Sequence, residues 1–350
     1  MPTQRIIGAF VFPNAWSDLG RFRDLLDAFR DFGITAVMTE SERYDAAAID
    51  MVHALGLRSY AGVACFSDHA TNFHELAERP ELWPILETGE RRPQMEWYIG
   101  LTPTDRRHQD EVLGRIAAIA AAYPIDGLFL DFVRWPLHWE IELRPGRPRP
   151  LDSSFDPATL AEFATESGVR APPDLQTVED RAAWIRAHHL REWVDFKCKV
   201  VTDFAREARS RLAAARPEAE LGIYIVPDID GLTEPLTGQR LADLAPLADW
   251  LSPMLYHNIL LRPPSWIGSA LAQVLSVAGT KTLPVLQADS NRDPAVAADW
   301  GRDMSVADWR VALAAIASRP DAPGLIVFPG TSLIGNGRGE VLRAMVGARQ

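Results

Sequence analysis

Apolar residues recur along this chain in two alternating rhythms. Short, nearly unbroken apolar runs cover residues 5–13, 34–39, 58–66, 127–133, 221–226, 250–256, 282–287 and 324–328. Between most of these runs, apolar positions return every three or four residues, the spacing of an amphipathic helix. Residues 17–32 show it most clearly, with Leu19, Phe22, Leu25, Leu26 and Phe29 on one face. The same rhythm predicts helices over 45–55, 108–123, 179–215, 241–247, 264–278, 305–318 and 338–346. Ser17 followed by Asp18 supplies an N-cap for the first helix, and Gly33 and Gly56 supply stops for the first and second.

Continuous apolar runs are the mark of parallel strands buried on both faces. Strand and helix alternate eight times, which implies right-handed crossovers and a closed (β/α)8 TIM barrel formed by one domain over residues 1–350. An open doubly wound sheet is the alternative, but it calls for a glycine-rich phosphate loop after the first strand, and that position reads VFPNAW. Two long stretches, about 67–104 and 134–178, are read as loop insertions after the third and fourth strands. Trp83, Trp97 and Tyr98 in the first stretch argue for an ordered, functional loop.

Charge narrows the partners. Lys and Arg number 36 and Asp and Glu 47, a net charge of −11. No basic excess is available to neutralise phosphates, so neither nucleic acid nor an anionic membrane is expected as a partner. A neutral or cationic substrate is easier to accommodate. No stretch approaches the ~18 apolar residues of a membrane span, and the start, MPTQRIIGAFVFP, has no signal-type run, so a cytoplasmic protein is expected. Cys65 and Cys198 have no CxxC neighbour and read as buried thiols.

In a barrel of this kind the polar residues just past each strand build the site. Here they include Asn14 and Trp16, Glu40 and Glu42, Asp68 and His69, Asp131, Arg134 and Trp135, Asp228 and Asp230, Tyr256, His257 and Asn258, and Asp289. Carboxylates and flat rings together suit a carbohydrate: the first for acid–base chemistry, the second for stacking on sugar faces. Asp131 is the sharpest candidate, a carboxylate inside the apolar run GLFLDFV, with Arg134 placed to hold it ionised. The competing structural reading is an ion pair that only pins the loop. A glycosidase needs a second carboxyl group about 5 to 9.5 Å away. Asp289 is favoured, with Asp228 next and Glu40 and Glu140 behind, and each of these also suits a hydroxyl contact or a loop cap. Tyr256 and His257 are read as orienting the substrate, with Asp228 and Glu40 as further contacts. Trp16, Trp97 and Trp135, together with Trp139, are candidate sugar platforms, whereas Trp184, Trp193 and Trp309 fall at helical positions and read as packing. Asp126 precedes its strand and reads as a turn or cap residue. A metal site would have to draw on Asp68, His69, His257 and Asp289, but no HxH or HExxH spacing is present, so no metal and no cofactor is expected.

The segment YPIDGLFLDFVRWP over 123–136 resembles the strand-four motif of barrel-fold glycoside hydrolases, and is distantly similar to the DGxDxDxE strand of family-18 chitinases. Asp126, Gly127 and Asp131 match that pattern, while Phe129 replaces one Asp and Val133 stands where the chitinase proton donor would be. Met254, Leu255 and Tyr256 resemble the MxY strand-six motif, with His257 where an Asp is usual. The resemblance implies a glycoside hydrolase acting on an oligo- or polysaccharide, without the group that chitinase-type substrate-assisted catalysis uses. Two other classes remain open at this point: a metal-dependent barrel enzyme of sugar isomerase or amidohydrolase type, and a carbohydrate-binding barrel without catalysis.

Overall fold

The computed structural model describes residues 5–41, 44–68, 74–289, 300–302 and 304–347. Eight parallel strands close into a barrel in chain order. They are β1 (Ile7–Phe10), β2 (Ala36–Glu40), β3 (Arg58–Ala64), β4 (Gly127–Asp131), β5 (Glu220–Ile225), β6 (Trp250–Leu255), β7 (Val285–Gln287) and β8 (Leu325–Phe328). This is the (β/α)8 architecture that the alternating runs predict.

The two-residue period of a strand decides which side chains enter the barrel. In β4, Leu128 and Leu130 pack outward with the surrounding helices, whereas Phe129 joins Met38, Tyr60, Tyr224 and Ile326 in the interior. Asp131 follows Phe129 by two and therefore points inward. Glu40 follows Met38 in the same way. The β3 residues of matching parity, Gly62 and Ala64, pair in register with Glu40 and Asp131 and leave room between them. Lower in the barrel the space is filled. A Cβ on Gly222 would lie 2.2 Å from the Phe129 ring, which stacks on Tyr224 at 4.9 Å.

Local signals explain most boundaries. The first helix, Leu19–Asp31, is capped by Asp18, whose carboxylate accepts from the Gly20 and Arg21 N–H groups at 2.9 and 3.1 Å. The Ser17 hydroxyl turns back to Asn14 O instead. Gly33 leaves this helix at φ +84°, a region glycine enters without a Cβ clash. The long helix expected over 179–215 is two helices, Val178–His188 and Leu190–Ala215, divided where His189 adopts φ −138°. No glycine or proline marks the break, so periodicity alone runs through it.

The two long insertions are ordered and interlocked. The first holds the short helix His74–Glu78 and the second holds Trp139–Glu142 and Pro157–Ser167. Leu86 bridges to Ser153, Thr102 bonds Ser154 at 3.0 Å, and Thr104 bonds Thr159 at 2.7 Å. Arg92 pairs with Glu142, and Glu87 with Arg149 and Arg186. Lys197, fully buried, pairs with Asp152 and ties the second insertion to the helix beneath it. No helix among the described residues is long and apolar enough to cross a membrane.

Candidate active site

A cavity of about 270 Å³ opens at the C-terminal ends of the strands. Its floor is built from the inward residues Phe10, Tyr224, Met254, Val285 and Phe328, and its more exposed rim from Phe12, Glu96, Trp97 and Trp300. Glu40, Asp131, Arg134, His138 and Glu140 supply polar groups to it, and Phe132, Tyr256 and Ile259 complete the lining.

Asp131 ends β4 and is followed by Phe132 at φ +50°, a left-handed conformation unusual for an aromatic residue. This turn brings the Phe132 N–H to 2.7 Å from Asp131 Oδ1. Arg134 Nη1 stands 3.9 Å from the same oxygen. Two N–H groups thus face one carboxylate oxygen, that of Phe132 within hydrogen-bonding distance and that of Arg134 beyond it. The Arg134 guanidinium is buried, 4.7 Å over the Phe132 ring and 5.7 Å over the Tyr98 ring. Its Nε and Nη1 find no acceptor within hydrogen-bonding distance among the described residues.

Glu140 comes from the short helix Trp139–Glu142 in the second insertion. Its Oε2 is buried with no hydrogen-bond donor among the described residues, 3.6 Å from His138 Nδ1. Burial pushes this carboxyl up to about 7; Arg134 opposes the shift and the Asp131 charge adds to it. Burial also pushes His138 down to about 3, so its imidazole is neutral and gives Glu140 no countercharge. The backbone here is held firmly. Arg144 Nε donates to Glu140 O at 3.0 Å and to Ile259 O at 2.8 Å, and Glu142 accepts from His138 N–H at 2.7 Å. Burial, with Asp131 next, raises the Tyr224 and Tyr256 phenols, so both present O–H groups to the cavity at neutral pH.

The structure brings together only part of the set expected from sequence. Asp131, Arg134, Tyr256, Glu40 and Trp97 line the cavity, and so does Glu140, ranked behind Asp289 and Asp228 on sequence. Asp289 does not. Its carboxylate pairs with Arg338 at 3.3 Å, away from the cavity lining. Asp228 is exposed and accepts from Thr233 N–H at 3.4 Å. His257 is buried beside a separate cavity with Arg262 and Asp308. Trp135 is no sugar platform: it is wholly buried among Trp193 and Phe196, its indole N–H donating to Lys197 O at 3.1 Å. Trp16 packs against Phe22 and Tyr44 outside the cavity. Trp139 is also buried, stacked on Tyr256 at 5.6 Å. Asp126 binds the Ser59 N–H and His53 at the opposite end of the barrel, as a structural residue should. Glu42 and His69 lie outside the described residues.

Tyr224, His138 and Glu96 were not singled out in the sequence. Tyr224 had a readable signal, since it keeps the inward parity of its strand two residues past Gly222. His138 and Glu96 sit in the insertions and carried none. For metals, Glu75, His108 and Glu111 converge, but the Arg79 guanidinium already lies 3.2 and 2.8 Å from the two glutamates. His108 Nε2 faces Cys65 O at 2.8 Å.

No protein-family model matches the chain, and neither does any curated protein. Solved structures do. The glycoside hydrolase domain of PgaB (BpsB) from Bordetella bronchiseptica aligns over 98% of this chain and 99% of its own, with a TM-score of 0.69 and 16% identity. A β-galactosidase from the psychrophilic Marinomonas ef1 aligns over 98% of this chain with a TM-score of 0.68 and 11% identity, and this chain spans 59% of it. The β-amylase catalytic domain from Paenibacillus polymyxa aligns over 98% of both chains, with a TM-score of 0.64 and 12% identity. At these identities the likeness is one of fold: the chain shares the closed (β/α)8 barrel of these structures.

Proposed function

We propose that this chain is a glycoside hydrolase whose carboxyl pair is Asp131 and Glu140. The observation that carries this reading is geometric: Glu140, buried with no donor to its Oε2 among the described residues, lines the same cavity as Asp131, and burial raises its proton affinity. Two carboxyl groups with different environments are what glycosidic hydrolysis needs. Glu140 gives its proton to the leaving oxygen. Asp131, faced by Phe132 N–H and Arg134, supports the positive charge that develops at the anomeric carbon and the attack on it. Neutral Tyr224 and Tyr256 hydroxyls and the Glu40 carboxylate bind sugar hydroxyls, with Trp97 at the rim as a stacking surface.

The test is a product assay of the wild type and Asp131→Asn on a panel of glycans and simple glycosides. Turnover lost by at least about 10³-fold in the variant supports the assignment, and the anomer first released tells whether Asp131 attacks carbon or activates water. An Asp131→Asn enzyme that keeps most of its activity would overturn it.

A further inference from the structure

The cavity is divided by chemistry along the order of its strands. Its acids come from β2, from the insertion after β3, and from β4 with the loop that follows: Glu40, Glu96, Asp131 and Glu140. The contiguous strands β6, β7, β8 and β1, with the segments that leave them, supply a different surface: Phe10, Phe12, Met254, Val285, Trp300 and Phe328. The rings there form one assembly. Tyr256 stacks on Phe328 at 5.1 Å, and Trp300 stacks on the same ring at 5.3 Å. Phe10 and Phe12 meet Phe328 edge-on at 5.1 and 5.9 Å.

A sugar residue laid on that surface would bury its hydroxyls against side chains whose polar groups, among the described residues, are the Tyr256 hydroxyl and the Trp300 indole N–H. Hydroxyls buried without partners are costly, whereas an aromatic ring loses nothing there and gains stacking contacts. The volume agrees. About 270 Å³ is roughly twice the ~150 Å³ cavity that takes up one benzene ring, which is room for two six-membered rings. Glu140 lies within electrostatic reach of both halves, of Asp131 on one side and of Tyr256 on the other. The acid that protonates a leaving oxygen belongs within reach of both.

We propose that the substrate is a glycoside with an aromatic leaving group, its single sugar residue on the Glu40 and Asp131 side and its aryl ring against Phe12, Phe328 and Trp300. The inference rests on the hydrolase reading above. The C1–O bond breaks with its electron pair going to the phenolic oxygen, which takes the Glu140 proton. Water adds its oxygen to C1 and its proton passes to the Glu140 carboxylate, directly or by way of Asp131 and solvent, so glycoside and water yield free sugar and a phenol, with both carboxyls restored.

The experiment measures calorimetric binding of matched phenyl and methyl glycosides of the common hexopyranoses, in both anomers, and of oligosaccharides of the same sugars, to Asp131→Asn. Hydrolysis of the same pairs and of oligosaccharides by wild type is measured alongside. For at least one sugar, the phenyl glycoside is expected to bind about tenfold or more tightly than the methyl glycoside. Adding Phe12→Ala or Trp300→Leu should shrink that ratio. Equal affinity within every pair, tighter binding of an oligosaccharide, or a ratio untouched by both substitutions overturns the proposal. Phenyl preference with no hydrolysis of any compound leaves the aryl site standing and removes the hydrolase reading. Hydrolysis without phenyl preference does the reverse, and no binding by any compound removes both.

Discussion

Glu140 and Asp131 share one cavity, and the charge on Asp131 helps keep the proton on Glu140, after burial as the larger cause and against the pull of Arg134. Glu140 therefore keeps its proton up to near neutral pH. The active form carries it on Glu140, so kcat/KM should fall as pH rises through about 7. A pH profile of the wild type checks this, and a flat profile from pH 6 to 9 would contradict it.

Replacing Glu140 by Gln removes the acid but keeps its shape. Activity on poor leaving groups should drop by about 10² to 10⁴-fold. Substrates with strongly acidic phenols, which leave without a proton, should lose much less. The same change should not harm stability. In wild type the folded state keeps a proton that the unfolded chain releases above about 4.3, so stability declines as pH rises from there to about 7, and the loss is complete above that. Gln has no such penalty, and a thermal melt at pH 8 should place Glu140→Gln at or above wild type.

Arg134 acts on both carboxyls. Its guanidinium lowers the Glu140 value and stands 3.9 Å from Asp131. Arg134→Met should move the alkaline limb of the pH profile upward, because the opposing charge is gone, and should lower kcat as well. A lower kcat with an unmoved limb would mean that Arg134 only shapes the loop.

Asp289 separates the structural assignment from the one that strand order suggests. It pairs with Arg338 away from the cavity lining and is partly exposed. Asp289→Asn should keep activity within about threefold of wild type, by the small cost of substitutions away from a site. A loss as large as that of Asp131→Asn would restore Asp289 to the carboxyl pair.

Lys197 and Asp152 hold the insertion that carries Glu140. The lysine is wholly buried, and Asp152 also accepts from the Trp193 indole at 2.9 Å. Lys197→Met leaves the Asp152 charge buried without its partner, at a cost of about 3 to 5 kcal/mol. Urea unfolding should show the loss as a lower midpoint.

Much of the site was legible from strand parity. Phe129 and Asp131 share a parity that Leu128 and Leu130 do not, and Met38 with Glu40 repeats the pattern in β2. Where the reading moved past the strand ends, to Asp228, His257 and Asp289, the two-residue period no longer applied. Asp228 turned to a neighbour in its own loop, Asp289 to Arg338 of the last helix, and His257 to a cavity elsewhere. Trp135 shows the same limit: its place just after β4 suggested the rim, but the turn at Phe132 sends it into the core beneath.

The sequence by itself determined the barrel, because eight apolar runs separated by helical periods can bury their faces in few other ways. It also determined that Asp131 shares a face with Phe129, since a strand alternates its side chains locally; that this face is the barrel interior came from the fold. Only the tertiary structure decided which carboxyl meets Asp131. Glu140 reaches the cavity through contacts made far apart in the chain, among them Arg92 with Glu142 and Arg144 with Ile259. Its raised proton affinity is a property of that burial, and burial in a long insertion is not encoded in any local period.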